Sequence, residues 1–401
     1  MTEQQNTPEL RFPEFNGEWQ LNKLENIASF SKGKSLSKKD LNHEGEPCIL
    51  YGELYTKYGS ILKSAYSKTS IDNSSLVYSK NNQVLIPSSG ETDIDIATAT
   101  CIDTNENIII GGDLNILTPT NTDGRFISLY INGKGKYNLA RYAQGKTVVH
   151  LYNSDIKKLK LMLPFDIKEQ NKIGDFFSKL DRQIELEEKK LELLEAQKKG
   201  YMQKLFSQEI RFKDSKDNNY PDWNIVKIGD VLKERNERTS EGDMLSVTIN
   251  HGIIKFNEID RKDNSSKDKS NYKKVYKNDI AYNSMRMWQG ASGKSEYEGI
   301  VSPAYTVTIP NENINPDFIA YYFKTHKMIH KFKINSQGLT SDTWNLKYKQ
   351  LKDIKINLCS KEEQNKIANL LIKYDKLINK QKHKLEILKT NKKGLLRKMF
   401  I

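Results

Sequence analysis

Two long stretches of this chain repeat apolar residues every seven positions. In the first, one row runs Phe177, Ile184, Leu191, Lys198, Leu205 and a second runs Ile173, Leu180, Glu187, Leu194, Tyr201. Shifted by 194 positions, the rows read Leu371, Ile378, Leu385, Lys392, Met399 and Ile367, Tyr374, Gln381, Leu388, Leu395. Paired rows at this spacing predict amphipathic helices that meet along a seam. Segments 169–206 and 363–400 align without a gap, with 17 of 38 positions identical. At a rise of ~1.5 Å per residue each helix would be about 57 Å long. Polar residues break both seams at the same two places, and this bears on orientation. Parallel packing in register would set Lys198 against Lys392. Antiparallel packing puts Leu191 opposite Leu388, Leu194 opposite Leu385 and Ile184 opposite Leu395, with Glu187 opposite Lys392 and Lys198 opposite Gln381. Those apolar layers flanked by matched polar ones would fix a register. An antiparallel pair is therefore expected. The competing reading packs each helix on its own globular region.

Elsewhere the apolar runs are short, alternating and broken by Gly, Asn, Asp and Ser, which predicts strands and turns. NQVLIPSS (82–89) pairs across the repeat with KNDIAYNSM (277–285), and ENIIIGGDLNILTP (106–119) with GIVSPAYTVTIP (299–310). RFISLYI (125–131) and DFIAYYF (317–323) read as matching short helices. Each half opens on a polar, aromatic-studded connector and closes with a glycine-containing segment before its last strand. The expected organisation is an α+β fold with a pseudo-two-fold duplication. A connector spans 1–23, a strand-rich globular region 24–165, a helix 166–206, a second connector 207–227, a second globular region 228–360 and a final helix 361–401. Between the matching landmarks most residues differ, so a repeated frame presents two different surfaces.

Charge narrows the choice of partner. The 401 residues carry a formal net charge of +13, which points to a polyanion, nucleic acid first, against the alternative of a compositional lysine bias. Cys48, Cys101 and Cys359 are odd in number and never in a CxxC pair, which argues for a reducing compartment and against a disulfide frame or zinc site. No signal-like N-terminus or run of 18 apolar residues is visible, so a cytoplasmic location is expected.

The familiar catalytic patterns do not hold in this sequence. Gly145-Lys146-Thr147 lacks the first glycine of a phosphate-binding loop, because position 140 is Ala; His326 and His330 enclose Lys327 where a zinc protease motif needs Glu. No [DN]PP[YF] segment exists to grip an extruded adenine. Recognition chemistry is better represented. Cationic, amide and hydroxyl side chains on loops suit phosphates and base edges. The first half offers Lys32, Lys34 and Lys38 in run 29–39, Ser88, Ser89 and Thr92 in run 88–92, and Lys134, Lys136 and Lys146 in run 133–146. The second offers Arg235 and Arg238 in run 233–238, the basic run 260–269, and Asn283, Arg286 and Gln289 in run 282–290. Within that last run Trp288 reads as a packing residue rather than a base contact. Lys32, Lys34, Lys134 and Lys136 suit phosphate, which sets affinity and salt dependence without reading sequence.

Several segments together give the chain a family likeness. They are Leu163-Pro164 followed by Glu169-Gln170-Asn171-Lys172-Ile173, its echo Leu358 with Glu363-Gln364-Asn365-Lys366-Ile367, the KKGYMQKLF and KKGLLRKMF helix ends, Pro221 with Trp223, and MRMWQG with GIVSPAY. On these, essentially the whole chain resembles the specificity subunit of type I restriction–modification enzymes; Cys359 departs from the pattern where the first copy has Pro164. The resemblance implies a non-catalytic DNA reader. Two target recognition domains would each bind one half of an asymmetric bipartite site in double-stranded DNA. The paired helices, through Ile184, Glu187, Leu191, Leu194 and Lys198 with Ile378, Gln381, Leu385, Leu388 and Lys392, would space those domains and dock partner subunits. Those partners would be two modification subunits, which use S-adenosylmethionine to methylate adenine N6, and two restriction subunits, which use ATP and Mg. No cofactor or metal is expected in this chain, and DNA-mimic proteins of phage would be competitors. Two alternatives stay open: a DNA-architectural scaffold without base readout, and a self-sufficient methyltransferase.

Overall fold

The structure is a computed structural model that describes residues 6–34, 36–71, 75–258 and 265–401. Residues 260–264 of the basic run 260–269, and Ser35 of run 29–39, lie outside the described residues. The chain divides into two compact units, the first formed by Met1–Lys189 with His383–Ile401 and the second by Lys190–Lys382. Both long helices form as expected, the central one over Ile167–Phe206 and the C-terminal one over Lys361–Lys398.

In the first unit the buried runs Val84–Pro87 and Leu114–Pro119 pair antiparallel at the centre of a five-stranded sheet, with Ile116 opposite Leu85. Ala28–Lys32 flanks one side, and Thr100–Ile102 with Ile61–Leu62 the other. A four-stranded sheet of Ile109–Ile110, Glu46–Ile49, Ser67–Thr69 and Leu41–Asn42 adds a second layer of structure. The second unit repeats the central pairing. Ile280–Asn283 lies antiparallel to Tyr305–Pro310, with Ala281 opposite Val307, between Leu232–Glu234 and Ser292–Lys294. It lacks a counterpart of the four-stranded sheet among the described residues and instead has two two-stranded ladders. The predicted short helices form at Gly124–Asn132 and Pro316–Phe323, capped by the side chains of Asp123 and Asn315.

The repeated Glu-Gln pair that opens each long helix works as a structural tie. Glu169 is buried and accepts two hydrogen bonds from Arg11, at 2.7 and 2.8 Å; Glu363 is buried and accepts two from Arg211, at 3.1 and 2.8 Å. The next residue reaches both ways. Gln170 donates to the Pro164 carbonyl and accepts from the Asp123 N–H, while Gln364 donates to the Cys359 carbonyl and accepts from the Asn315 N–H. Only a backbone carbonyl is needed at the strand–helix turn, so Cys359 replaces Pro164 without changing the join. Each last strand pairs antiparallel with the strand that ends its connector, Lys160–Leu163 with Gln20–Lys23 and Lys355–Leu358 with Asn224–Lys227.

The helices run antiparallel within each unit. In the first unit Lys392 pairs with Asp181, Lys384 with Glu187, and Lys389 with Glu188 at 2.6 Å. In the second unit Lys198 pairs with Asp375 at 2.5 Å and Lys382 with Glu195 at 2.9 Å. Asp181–Lys392 and Lys198–Asp375 are the same pair seen through the duplication. Glu188 and Glu195 occupy equivalent helix positions to Lys382 and Lys389, so what would be glutamate facing glutamate in two identical helices has become two salt bridges. The expected register does not hold: Lys392 meets Asp181 rather than Glu187, and Lys198 meets Asp375 rather than Gln381. Heptad pattern identifies a face, but axial stagger is fixed by the helix ends. Phe400 is buried against Phe126 at 4.9 Å and against Trp19 and Phe177 at 6.3 Å in the first core. Phe206 stacks on Tyr322 at 4.9 Å in the second. Of the seam residues, Ile184, Ile378, Gln381 and Leu385 are buried, while Leu191, Leu194 and Leu388 are half-buried. Ile173 and Phe177 pack in the first core and Ile367 and Leu371 in the second, so the competing reading holds for the N-terminal end of each helix; the C-terminal ends, with Phe206 in the second core and Phe400 in the first, do not pack on their own half.

Candidate nucleic-acid interface

In the first unit the strand Val84–Pro87 delivers the chain to Ser88, whose carbonyl accepts the Leu151 N–H at 3.1 Å. Gln144 and His150 exchange backbone hydrogen bonds of 2.9 and 2.7 Å and so close a hairpin, turned by Gly145 at φ +121°. Ser89 Oγ hydrogen-bonds His150 Nδ1 at 3.2 Å, the His150 ring stacks on Tyr152, and Lys32 Nζ lies 5.7 Å from the Tyr152 ring. Sequence-distant candidates thus become contiguous: Lys32, Ser89 and the hairpin bearing exposed Lys146. Lys34 and Lys134 are exposed on loops, and Lys38 is exposed at the start of the short 3-10 helix Lys38–Asp40.

Three candidates of this unit fare differently. Ser88 is buried. Thr92 is occupied as the N-cap of Asp93–Ile96, accepting from the Asp95 N–H at 3.1 Å and donating to its carboxylate at 2.7 Å. Lys136 is half-buried and lines a cavity of about 380 Å³ with Lys389, Lys392 and Lys393; burial pushes its amine below the usual lysine range.

The second unit repeats the arrangement. The Ser284 carbonyl accepts the Leu346 N–H at 2.8 Å, and Gln337 and Asn345 exchange backbone bonds of 3.0 and 2.8 Å around Gly338 at φ +147°. Trp344, on this hairpin, meets Trp288 edge-on at 5.1 Å, and Lys333 Nζ lies 5.6 Å from the Trp344 ring. Trp288 is therefore a packing residue that docks the hairpin against the run bearing Arg286 and Gln289. Arg286 is exposed and Gln289 half-buried. Asn283 Oδ1 accepts the Met285 N–H at 3.0 Å and so shapes the turn.

Arg235 is not available as its sequence suggested. Its guanidinium is held by the buried Asp279 through hydrogen bonds of 2.7 and 2.9 Å, which keep it above the usual arginine range. The Asp279 carboxylate also accepts the Tyr276 N–H, so the pair organises the turn into the strand Ile280–Asn283. Arg238 stays exposed and donates to Asn271 at 2.9 Å. Sequence reading missed His150, Tyr152, Trp344 and Lys333. The usable signal was the repeated Gln-Gly at 144–145 and 337–338, which marks where each hairpin begins.

Among the described residues no group of three His, Cys, Asp or Glu could hold a metal ion. No described helix is long and apolar enough to cross a membrane.

The type I restriction modification DNA specificity domain model matches this sequence twice, over residues 16–196 and 220–389. The chain belongs to that family. Its two specificity domains coincide with the two halves of the duplication. Specificity subunits of two type I restriction enzymes of Methanocaldococcus jannaschii are similar. That of MjaX is 26% identical over 214 residues, 49% of each chain, and that of MjaVIII 26% identical over 233 residues, 56% of this chain and 50% of that protein. The chain thus spans about half the length of these curated relatives. The crystal structure of a type I restriction–modification S subunit from M. genitalium shares the fold, with a TM-score of 0.63 over 98% of this chain and 99% of that one at 17% identity.

Proposed function

We propose that this specificity-family chain is the non-catalytic DNA-reading subunit of a type I restriction–modification complex. The observation that carries this is the doubled specificity domain, in which one frame recurs and the exposed surfaces differ. The globular regions 24–165 and 228–360 act as target recognition domains, each taking one half of an asymmetric bipartite site in duplex DNA. In the first, Lys32, next to the Ser89 group, and Lys34, Lys38 and Lys134 supply phosphate contacts; in the second, Arg286, Gln289 and Asn283 face base edges, with Arg238 as a further cation. Arginine suits guanine edges and the amides suit adenine. The antiparallel helices set the separation of the half-sites and dock two modification subunits. Those subunits carry S-adenosylmethionine and methylate adenine N6 on an extruded base. Restriction subunits, with ATP and Mg, join the same assembly, in the cytoplasm, where phage DNA mimics compete for the reading surface.

The test is a genome-wide map of methylated adenines in the host with and without this gene. The proposal expects one bipartite, asymmetric motif to lose methylation on deletion and regain it on complementation. An unchanged map overturns it. Purified chain that methylates DNA with S-adenosylmethionine alone overturns the non-catalytic assignment.

A further inference from the structure

Most of the surface differs between the two halves, yet both close on the same device. Gln144-Gly145-Lys146-Thr147 in the first unit corresponds to Gln337-Gly338-Leu339-Thr340 in the second. Each hairpin is sealed by reciprocal backbone bonds from its glutamine, to His150 in one and to Asn345 in the other. Each needs its glycine. A Cβ on Gly145 would lie 2.1 Å from the Val148 carbonyl oxygen, and one on Gly338 would lie 2.6 Å from that of Thr343, in addition to the positive φ. Each is tied by one backbone bond, Leu151 to Ser88 or Leu346 to Ser284, to the end of the strand that leads into a candidate base-reading run.

What the frame leaves free is the third residue. Lys146 is exposed, and Leu339 is fully exposed at 101%. Singly exposed leucines are ordinary. This one stands apart because its hairpin sits beside cations. Trp344 of the same hairpin carries Lys333 over its ring, and Trp288, against which Trp344 packs, neighbours exposed Arg286. An apolar tip beside guanidinium and ammonium groups matches duplex DNA, where thymine methyls and sugar faces lie between phosphates.

We infer that the two Gln-Gly-x-Thr hairpins are a second pair of DNA-contacting elements, with Lys146 meeting a phosphate and Leu339 an apolar sugar or base surface. The inference rests on the DNA-reading function and extends it: the frame that positions the contact is common to both halves, while the contacting residue differs.

The full-length chain is titrated against a pool of labelled random-sequence duplexes by fluorescence anisotropy over a salt series. Lys146→Ala is expected to weaken binding several-fold and to reduce the slope of log K against log salt by about 0.9, the change for one lost phosphate contact. Leu339→Lys is expected to steepen that slope by about 0.9 by adding one. Both side chains are exposed, so thermal melting curves should match the parent. If the parent binds and both variants keep its affinity and slope, the hairpin assignment is overturned while the DNA-reading function stands. A parent that binds no DNA at low salt overturns both. Loss of a co-purifying protein with unchanged DNA binding makes the hairpins a protein-docking device and overturns the inference.

Discussion

Replacing Arg211 with Met removes the partner of a carboxylate that has no solvent access. The Glu363 side chain is 0% exposed and that of Arg211 21%, and the guanidinium also donates to the Pro221 carbonyl at 2.6 Å. Breaking a buried pair by removing one member costs about 3–5 kcal/mol, because the remaining charge is stranded. Partial exposure of Arg211 places the expected loss near the lower end, about 3 kcal/mol. The methionine stem fills the space of the arginine stem, so packing contributes little to the difference. Removing both charges in Arg211→Met/Glu363→Met should recover more than half of the loss, since the stranded carboxylate is gone. Urea titration followed by tryptophan fluorescence reads this unit strongly, because Trp223, Trp288 and Trp344 all lie in it and only Trp19 in the other. Hydrogen exchange in peptides covering 361–375 localises the effect to the first turns of the C-terminal helix. A loss below about 1 kcal/mol for the single variant, or a double variant no better than the single, would refute the claim that this pair ties the connector to the helix.

Phe400→Ala should cost the first unit about 3–5 kcal/mol by emptying the space between Trp19, Phe126 and Phe177; a thermal melt with an unchanged first transition would show that the helix end is not anchored there. Asp181→Lys and Lys392→Asp should each destabilise, and the double reversal should restore about 1 kcal/mol, which a double-mutant cycle measures. All three thiols are buried, and burial raises them, that of Cys48 to about 11. Maleimide at neutral pH should therefore label none in the folded chain and all three in urea. Burial lowers Lys324 to about 8, while an unfolded lysine titrates near 10.4. The folded state thus holds fewer protons between those values, so the penalty for charging this amine is full below pH 8 and fades as pH rises towards about 10. The stability difference, parent minus Lys324→Met, should accordingly rise over that window in urea titrations, and a flat difference would refute the shift.

Local chemistry made much of this molecule legible in advance. Seven-residue spacing gave both long helices, and buried alternating runs gave the central strands. Duplication gave the matched short helices at Gly124–Asn132 and Pro316–Phe323. Those features depend on near neighbours, whose geometry is fixed by helix and strand periods. The seam positions were also legible as a face, since Ile184, Ile378, Gln381 and Leu385 are buried where the pattern put them.

Three things waited for the tertiary structure. Helix register was one: sliding one helix along the other keeps the same faces in contact, so the sequence pattern is nearly indifferent to it, and the burial of Phe206 and Phe400 decides. The fate of individual cations was another. Arg235 and Arg286 are both arginines in loop runs, but only folding puts Asp279 beside the first and leaves the second exposed. The candidate interface was the third, because it joins Lys32 to Tyr152 and Trp288 to Trp344 across long sequence separations that no local period encodes. By itself, then, the sequence determined that the chain is two copies of one frame with different faces. The fold decided which side chains those faces present, because burial and ion pairing are set by contacts between residues far apart in the chain.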